Sequence, residues 1–275
     1  SDKAGVVDFC KGLAENGFEI ISTGGTAKAL KEAGLEVIGI SEITGFPECL
    51  DGRVKTLHPN VHAGLLAMRS NPEHMEQLRM LNINTIDIVC VNLYPFKATL
   101  ESGADFATCI ENIDIGGPTM IRAAAKNYQD VAVIVDPADY DKVLEELKEG
   151  EISLDTKKYL QYKVFAHTAV YDSLISNYLA SQLGITFPDE VTFAYKKAQN
   201  MRYGENPQQQ AVFYKEQLSR KGSLPSATQI WGKELSNNNI NDANGALNKD
   251  RILKAVREKG QVTYKGWPIR IKPDF

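Results

Sequence analysis

One stretch of the sequence joins a carboxylate to a glycine turn and a helix start. In NIDIGGPTMIRAAAKN (residues 112–127), Asp114 stands two residues before the pair Gly116 and Gly117, and a helical pattern follows. The N–H groups of such a turn can hold an oxyanion while the carboxylate moves or orients a proton. Lys126 could approach this site, because helical side chains lean towards the helix start. The alternative for Asp114 is a simple helix cap.

A second stretch, STGGTAK (residues 22–28), joins a predicted strand to a predicted helix. Gly24 and Gly25 let the backbone approach an anion closely, and the helix start offers N–H groups and a partial positive charge. Ser22 and Thr26 add hydroxyl donors. These features suit a phosphate, although a tight turn with Thr26 as helix N-cap fits the same residues.

A third stretch, GRVKTLHP (residues 52–59), places Arg53 and Lys55 two residues apart, directly before Thr56. In an extended segment the two cations face the same side. Two cations on one side suit a phosphate or a developing oxyanion. A solvated surface pair is the alternative.

Two further motifs offer weaker signals. NLYPF (residues 92–96) ends an apolar run, so Asn92 and Tyr94 should lie at the carboxyl end of a strand. Tyr94 could donate a proton or stack on a base, or it could simply anchor a loop. His58 and His62 have a spacing that could ligate a metal on a helix, but the sequence supplies no evident third ligand. We expect no metal.

The elements that must position these residues alternate between strand and helix patterns. Strands are predicted at 18–22, 35–40, 85–96 and 131–135, and helices at 26–34, 71–81, 137–150 and 155–183. This order predicts an α/β fold with a parallel sheet and helices on both faces. Ligands of such sheets bind beyond the carboxyl ends of the strands.

Composition excludes several classes of protein. The 275 residues are 43% hydrophobic and 24% charged, with a formal net charge of -4, which is ordinary for a globular protein and does not suggest nucleic-acid binding. No apolar run is long enough to span a membrane, and the first residues do not resemble a signal peptide. The four cysteines show no paired metal spacing, so we expect reduced thiols and a cytoplasmic location.

Seven motifs, taken in order, resemble a known family. They are SDKAG, STGGTAKAL, SEITGFPE, GRVKTLHPNVHAG, NLYPF, IDIGGPTMIRAAAKN and RYGENPQQ. This order is similar to that of the bifunctional purine-biosynthesis family, which joins IMP cyclohydrolase to AICAR transformylase. The resemblance implies a methylglyoxal-synthase-like domain that closes the ring of FAICAR to IMP with loss of water. It also implies a homodimer and a cyclohydrolase without cofactor, since 10-formyltetrahydrofolate serves only the transformylase.

The resemblance also implies roles for individual residues. The implied phosphate site comprises Lys3, Ser22, Gly24, Gly25, Thr26, Arg53, Lys55 and Thr56. The implied catalytic group is Lys55, Tyr94, Asp114 and Lys126, with Asn92, Gly116 and Gly117 lining the base. Arg202 and Tyr203, in the opening loop of the transformylase, are implied contacts for AICAR.

The sequence departs from the family pattern in three places. A short apolar strand that family members carry before SDK, central in their sheet, is missing. The transformylase is only begun, with Gln208 where the family usually has His, so we expect no transformylase activity. Residues 249–275 carry eight Lys and Arg against three Asp and Glu. They are similar to part of the RNA-binding domain of the first-open-reading-frame protein of mammalian long interspersed retrotransposons.

These observations predict three segments. Residues 1–195 form the cyclohydrolase domain, 196–248 the truncated start of the second domain, and 249–275 an unrelated basic tail. The leading functional interpretation is an IMP cyclohydrolase. The alternatives are an inactive phosphate-binding or dimerisation module and a chimeric product that binds RNA weakly through its tail.

Overall fold

The computed structural model describes residues 3–204, 206–218, 224–226, 234–245, 262–264 and 267–269. The chain divides into two units, Ser1–Glu190 and Val191–Phe275. The division comes a few residues before the predicted domain boundary at 195.

The first unit contains two pairs of parallel strands. β1 (Ile21–Ser22) pairs with β2 (Ile38–Gly39), and β3 (Ile88–Cys90) pairs with β4 (Ala132–Ile134). The predicted α/β class with parallel strands is confirmed. The predicted single sheet is not, because no strand of the described residues joins β1 to β3.

Ten α-helices surround the strands in the described part of the first unit. They are α1 (Val6–Glu15), α2 (Gly24–Glu32), α3 (Ile40–Thr44), α4 (Pro59–Leu66), α5 (Pro72–Met80), α6 (Phe96–Glu101), α7 (Phe106–Glu111), α8 (Gly116–Lys126), α9 (Tyr140–Glu149) and α10 (Leu154–Gln182). The predictions for α2, α5, α9 and α10 are confirmed, with shifted ends. Asn71 caps α5 by accepting the N–H groups of Glu73 and His74.

The two faces of β4 pack against different helices. Val131, Val133 and Val135 point into a cluster formed with helices α3, α4, α6, α7, α8 and α10. Ala132 and Ile134 point the opposite way, into a cluster formed with α1, α9 and the start of α10. Because successive side chains of a strand alternate between faces, a strand buried on both faces reads as a continuous apolar run. This is why VAVIV could be recognised as a strand.

Helix α10 spans both apolar clusters. Its 29 residues correspond to about 43 Å at 1.5 Å per residue. Leu160 packs in the cluster with α1 and α9, whereas Val164 and Tyr171 pack in the other. The helix therefore ties the two sides of the strand layer together. None of the described helices is long and apolar enough to cross a membrane.

The second unit contains antiparallel strands. β5 (Tyr195–Asn200) pairs with β6 (Val212–Glu216), residues 237–245 are helical, and β7 (Val262–Tyr264) pairs with β8 (Trp267–Ile269). Apart from β7 and β8, the predicted tail at 249–275 lies outside the described residues.

Candidate functional site

A cavity of about 1740 Å³ opens between the two strand pairs. β1 and β3 both line it, and so do the segments that follow their carboxyl ends. Of the predicted site residues, it gathers Lys3, Ser22, Gly24, Gly25, Thr26, Arg53, Lys55, Thr56, Asn92, Tyr94, Asp114, Gly116 and Gly117. The predicted stretches therefore line one cavity, but not all of them follow strands in the described residues. Gly24 follows β1 and Asn92 follows β3, whereas Asp114 follows α7.

One wall of the cavity is the start of α2. The helix begins at Gly24, whose φ of 51° lies in the left-handed region that glycine adopts without strain. Thr23 stands at the N-cap position and its side chain makes no capping hydrogen bond, so the suggested cap at Thr26 is wrong. A Cβ on Gly25 would lie 3.0 Å from Lys3 Nζ. A helix start with an ammonium group beside it is suited to an anion.

The neighbouring wall is a tight turn rather than the extended segment that was predicted. Leu50, Asp51 and Gly52 all have positive φ, and Cys49 forms an isolated bridge with Val54. The turn folds the chain back on itself, which no alternation pattern in the sequence indicates.

This turn still brings both of its cations to the cavity. Lys55 Nζ lies 3.2 Å from a carboxylate oxygen of Glu48, and Arg53 forms an ion pair with Glu111. A Cβ on Gly24 would lie 3.9 Å from Lys55 Nζ, so Lys55 reaches the start of α2. The two cations thus have carboxylate partners that an incoming anion would compete with.

The opposite wall holds Asp114 in a fixed orientation. Its Oδ1 accepts the N–H of Gly117 at 2.9 Å, and its Oδ2 accepts the N–H of Tyr94 at 3.2 Å. Helix α8 starts at Gly116, so Asp114 is indeed a cap of the first turn, as the simpler interpretation proposed. Each carboxylate oxygen has a second lone pair available, because one backbone donor occupies only one. Capping and proton chemistry are therefore compatible.

The turn that carries Arg53 and Lys55 lies directly beside the wall that holds Asp114. A Cβ on Gly116 would lie 2.9 Å from Thr56 Oγ1, so the turn after Arg53 packs directly against the start of α8. Asn92 and Tyr94 follow β3 and line the same space, and the ring of Tyr94 is half exposed. Only a glycine at position 116 leaves room for Thr56 to lie this close to the start of α8.

Lys126 is not part of this cavity, which corrects the prediction that it approaches the site. It is the last residue of α8, about 15 Å along the helix axis from Gly116. Its side chain is exposed and lines a separate concavity together with Arg122, Gln161 and Phe165. The backward lean of a helical side chain cannot cover that distance.

Other singled-out residues lie elsewhere. His58 caps α4 by accepting the N–H of Asn60 on Nδ1, and His62 has its pKa lowered by burial. The described residues contain no group of three potential metal ligands. Arg202 and Tyr203 are exposed residues of the second unit, between β5 and β6, and their role in binding AICAR stays a prediction.

The cavity continues beyond the polar residues into an apolar part. Phe9 and Leu13 of α1 and Ile88 of β3 line this part. It makes the whole cavity larger than a ligand pocket, which rarely exceeds about 1000 Å³. One edge of β3 pairs with β4, whose residues do not line the cavity, whereas all three residues of β3 do line it.

Two thiols line this apolar part. Burial raises the pKa of Cys10 to about 11 and also raises the pKa of Cys90, whose Sγ lies 3.3 Å from the hydroxyl of Tyr140. A thiol that stays protonated is a poor nucleophile and a poor metal ligand. All four cysteines of the chain are free in the structure.

Sequence reasoning missed one residue of this site, Tyr171 of α10. The N–H of Asp114 donates to Tyr171 Oη at 2.7 Å. The two residues are 57 positions apart, so no local pattern could have linked them.

Two family models match the chain. A model of the AICARFT/IMPCHase bienzyme matches residues 124–261, and a model of the MGS-like domain matches residues 5–119. The first match includes residues 249–261, which the sequence had suggested lie outside the family. The MGS-like match agrees with the predicted fold of the first domain.

Similar proteins come from several bacteria. The chain is 66% identical over 268 residues to the bifunctional purine biosynthesis protein PurH of Ruminiclostridium cellulolyticum, and 61% identical to that of Acetivibrio thermocellus. In both cases the match covers 96% of this chain and 52% of the relative, so the chain spans about half their length. A crystal structure of ForH is 34% identical, with a TM-score of 0.57 over 64% of this chain and 93% of that one.

Proposed function

Because this chain belongs to the AICARFT/IMPCHase bienzyme family, we propose that its first unit is an IMP cyclohydrolase, which closes the ring of FAICAR to IMP with loss of water. One observation carries the proposal. A single cavity has cations beside a helix start on one wall and a carboxylate beside a glycine turn on the other. A nucleotide needs the first wall for its phosphate, and ring closure needs the second for its protons.

The phosphate end would be formed by the start of α2. The N–H groups of its first turn, the ammonium groups of Lys3 and Lys55 and the hydroxyls of Ser22 and Thr26 converge there. Phosphate oxygens accept hydrogen bonds from all of these donors. On binding, the phosphate would replace Glu48 as the partner of Lys55, because a phosphate offers more charge than a carboxylate.

The reacting end would be formed by Asp114, Tyr94 and Lys55. In the reaction, the carboxamide nitrogen attacks the formyl carbon and loses a proton, and the formyl oxygen gains protons and leaves as water. Asp114 is placed to take the proton from nitrogen, since backbone N–H groups fix both of its oxygens. Lys55 and Tyr94 are the donors available to the departing oxygen. Asn92, Gly116 and Gly117 would line the base.

Further properties follow from the family as proposals for this chain. The cyclohydrolase would need no metal or organic cofactor, and 10-formyltetrahydrofolate would serve only a complete transformylase domain. We propose a homodimer in the cytoplasm as the working form.

A competing proposal is an inactive phosphate-binding or dimerisation module. The observation in its favour is the break between the strand pairs, which leaves β1 with only half-buried or exposed residues on the phosphate wall. An RNA-binding role for residues 249–275 is a further alternative, supported only by their basic composition, which would give weak and salt-sensitive binding.

The deciding experiment measures conversion of FAICAR to IMP by the purified chain and by the same chain extended before Ser1 with a short apolar strand. In whichever form is active, Asp114→Asn should lower kcat about 10²–10⁴-fold. Lys55→Ala should raise KM as well as lower kcat. The matched control is Asp141→Asn, an exposed carboxylate in the first turn of α9, which should keep the parent rate.

Each outcome separates the proposals. Turnover that depends on Asp114 but not on Asp141 supports the cyclohydrolase. Two folded but inactive forms that still bind IMP support the phosphate-binding module. RNA retention that weakens as salt is raised, and that disappears when residues 249–275 are deleted, would support the third alternative.

A further inference from the structure

We infer that Tyr171 is a positioning residue for Asp114, an inference that rests on the proposed function. The phenol oxygen of Tyr171 accepts the backbone N–H of Asp114 at 2.7 Å. The hydroxyl also donates to the carbonyl oxygen of Asn112, at 3.5 Å. The hydroxyl therefore bridges the main chain on both sides of Ile113, immediately before the reacting carboxylate.

The ring of Tyr171 is well placed to act as a fixed support. Tyr171 is only 7% exposed and packs in the apolar cluster around β4. Its ring meets that of Phe96 edge-on, with centroids 6.2 Å apart and planes at 69°. A ring confined in this way holds its hydroxyl at a defined point, and α10 connects that point to the stable core.

The hydrogen bonds to Asp114 restrain its side chain and its main chain separately. The N–H groups of Gly117 and Tyr94 orient the carboxylate, whereas Tyr171 fixes the main chain from which the carboxylate extends. Tyr171 is not among the described residues that line the cavity, so it cannot touch the substrate there. It would act only through Asp114.

Protonation of the phenol agrees with this role. Burial raises the pKa of Tyr171, and the nearby charge of Asp114 raises it further. The hydroxyl therefore keeps its proton at neutral pH and can accept from Asp114 while it donates towards Asn112.

The test compares Tyr171→Phe with Tyr178→Phe. Both residues lie on α10 and both rings pack edge-on against Phe96, but the hydroxyl of Tyr178 contacts Cys109 instead of Asp114. Tyr171→Phe should lower kcat for FAICAR cyclisation about tenfold, because small displacements of a reacting group are costly. Its KM should change less than about twofold, since the phosphate end is untouched. Tyr178→Phe should keep kcat within about twofold.

A double variant tests whether Tyr171 acts through Asp114. If it does, Asp114→Asn with Tyr171→Phe should be no slower than Asp114→Asn alone, because the group being positioned is already gone. A double variant that is slower by the product of the two single effects would overturn the inference, as would an unchanged kcat in Tyr171→Phe.

Hydrogen exchange gives a readout that does not require activity. In Tyr171→Phe the amides of Asp114 and Gly117 should exchange at least about tenfold faster than in the parent, whereas Tyr178→Phe should leave them unchanged. Equal protection in all three proteins would overturn the inference. If Asp114→Asn keeps the full rate, the proposed acid–base role fails, and exchange still decides whether Tyr171 holds this segment.

Discussion

Replacing Gly117 by alanine should slow the proposed ring closure while leaving the protein folded. Gly117 is the second residue of α8, and a Cβ there would lie 2.6 Å from Asp114 Oδ2 and 2.9 Å from Leu93 Cδ2. A weak C···O contact normally measures about 3.3–3.6 Å, so the carboxylate must retreat by about 0.7 Å or more.

This displacement should affect kcat more than KM. Oδ2 would move away from the N–H of Tyr94, which now lies 3.2 Å from it, and away from the reacting atoms. Since a misplacement of about 1 Å can cost about 100-fold in rate, we expect kcat to fall about 10- to 100-fold. The phosphate wall is unchanged, so KM should stay within about threefold.

The cost in stability should be modest because two effects oppose each other. Alanine favours a helix over glycine by about 1 kcal/mol. The contact with Leu93, which is buried, costs about 1–3 kcal/mol as overpacking. The net loss of about 0–2 kcal/mol would lower Tm by at most about 8 °C in a domain of this size.

The assay combines FAICAR turnover with thermal unfolding followed by circular dichroism. Gly245→Ala is the control, because a Cβ there meets no atom within 4 Å and its φ is not positive. It should leave both quantities near the parent values. A folded Gly117→Ala protein that turns over within twofold of the parent would show that the position of this carboxylate does not govern the reaction.

Three further predictions concern stability. Ile134→Ala should cost about 2–5 kcal/mol in urea unfolding, because Ile134 is fully buried, whereas Ile185→Ala, at a half-exposed site, should cost under about 0.5. Lys163→Met should cost about 1–3 kcal/mol at pH 7, because Lys163 is the partner of both the half-exposed Asp136 and the more buried Asp139. The hydrogen bond from Lys163 lowers the pKa of Asp136. That contribution is present above the unfolded pKa of about 3.9 and is lost as pH falls through the folded pKa, so parent and variant should converge in acid; a constant gap would contradict this. Burial lowers the pKa of His167, so the unfolded chain, with a His pKa of about 6.5, binds the proton more tightly and the free energy of unfolding should fall between pH 7 and 5. His167→Asn should reduce that slope, and an identical slope would refute the assignment.

The sequence predicted the features of the site that depend on local pattern. Short apolar runs indicated β1 and β3, so the ends of these strands, and the polar residues after them, could be located in advance. Gly24 and Gly116 were recognised because a helical signal follows each glycine pair. These positions rest on short-range chemistry that the chain carries in a few consecutive residues.

The features that were missed depend on distant contacts or on turn geometry. Three consecutive positive φ values fold the segment before Arg53 into a turn, and only one of those residues is glycine. The bond between Asp114 and Tyr171 joins residues on separate elements. The placement of Lys126 failed because its distance along the helix, and not its side of the helix, decides whether it reaches the site.

The proposed site lies between two strand pairs, β1–β2 and β3–β4, that should differ in local stability. β1 exposes 38% of Ile21, whereas every residue of β4 is almost completely buried. Amides of β1 and β2 should therefore open at a much lower free energy than those of β3 and β4. The phosphate wall belongs to the less stable half, with β1 and β2, and the wall of Asp114 belongs to the more stable half, with β3 and β4. A bound nucleotide stabilises the states that bind it, so its main effect would be to hold the β1–β2 half closed against the β3–β4 half.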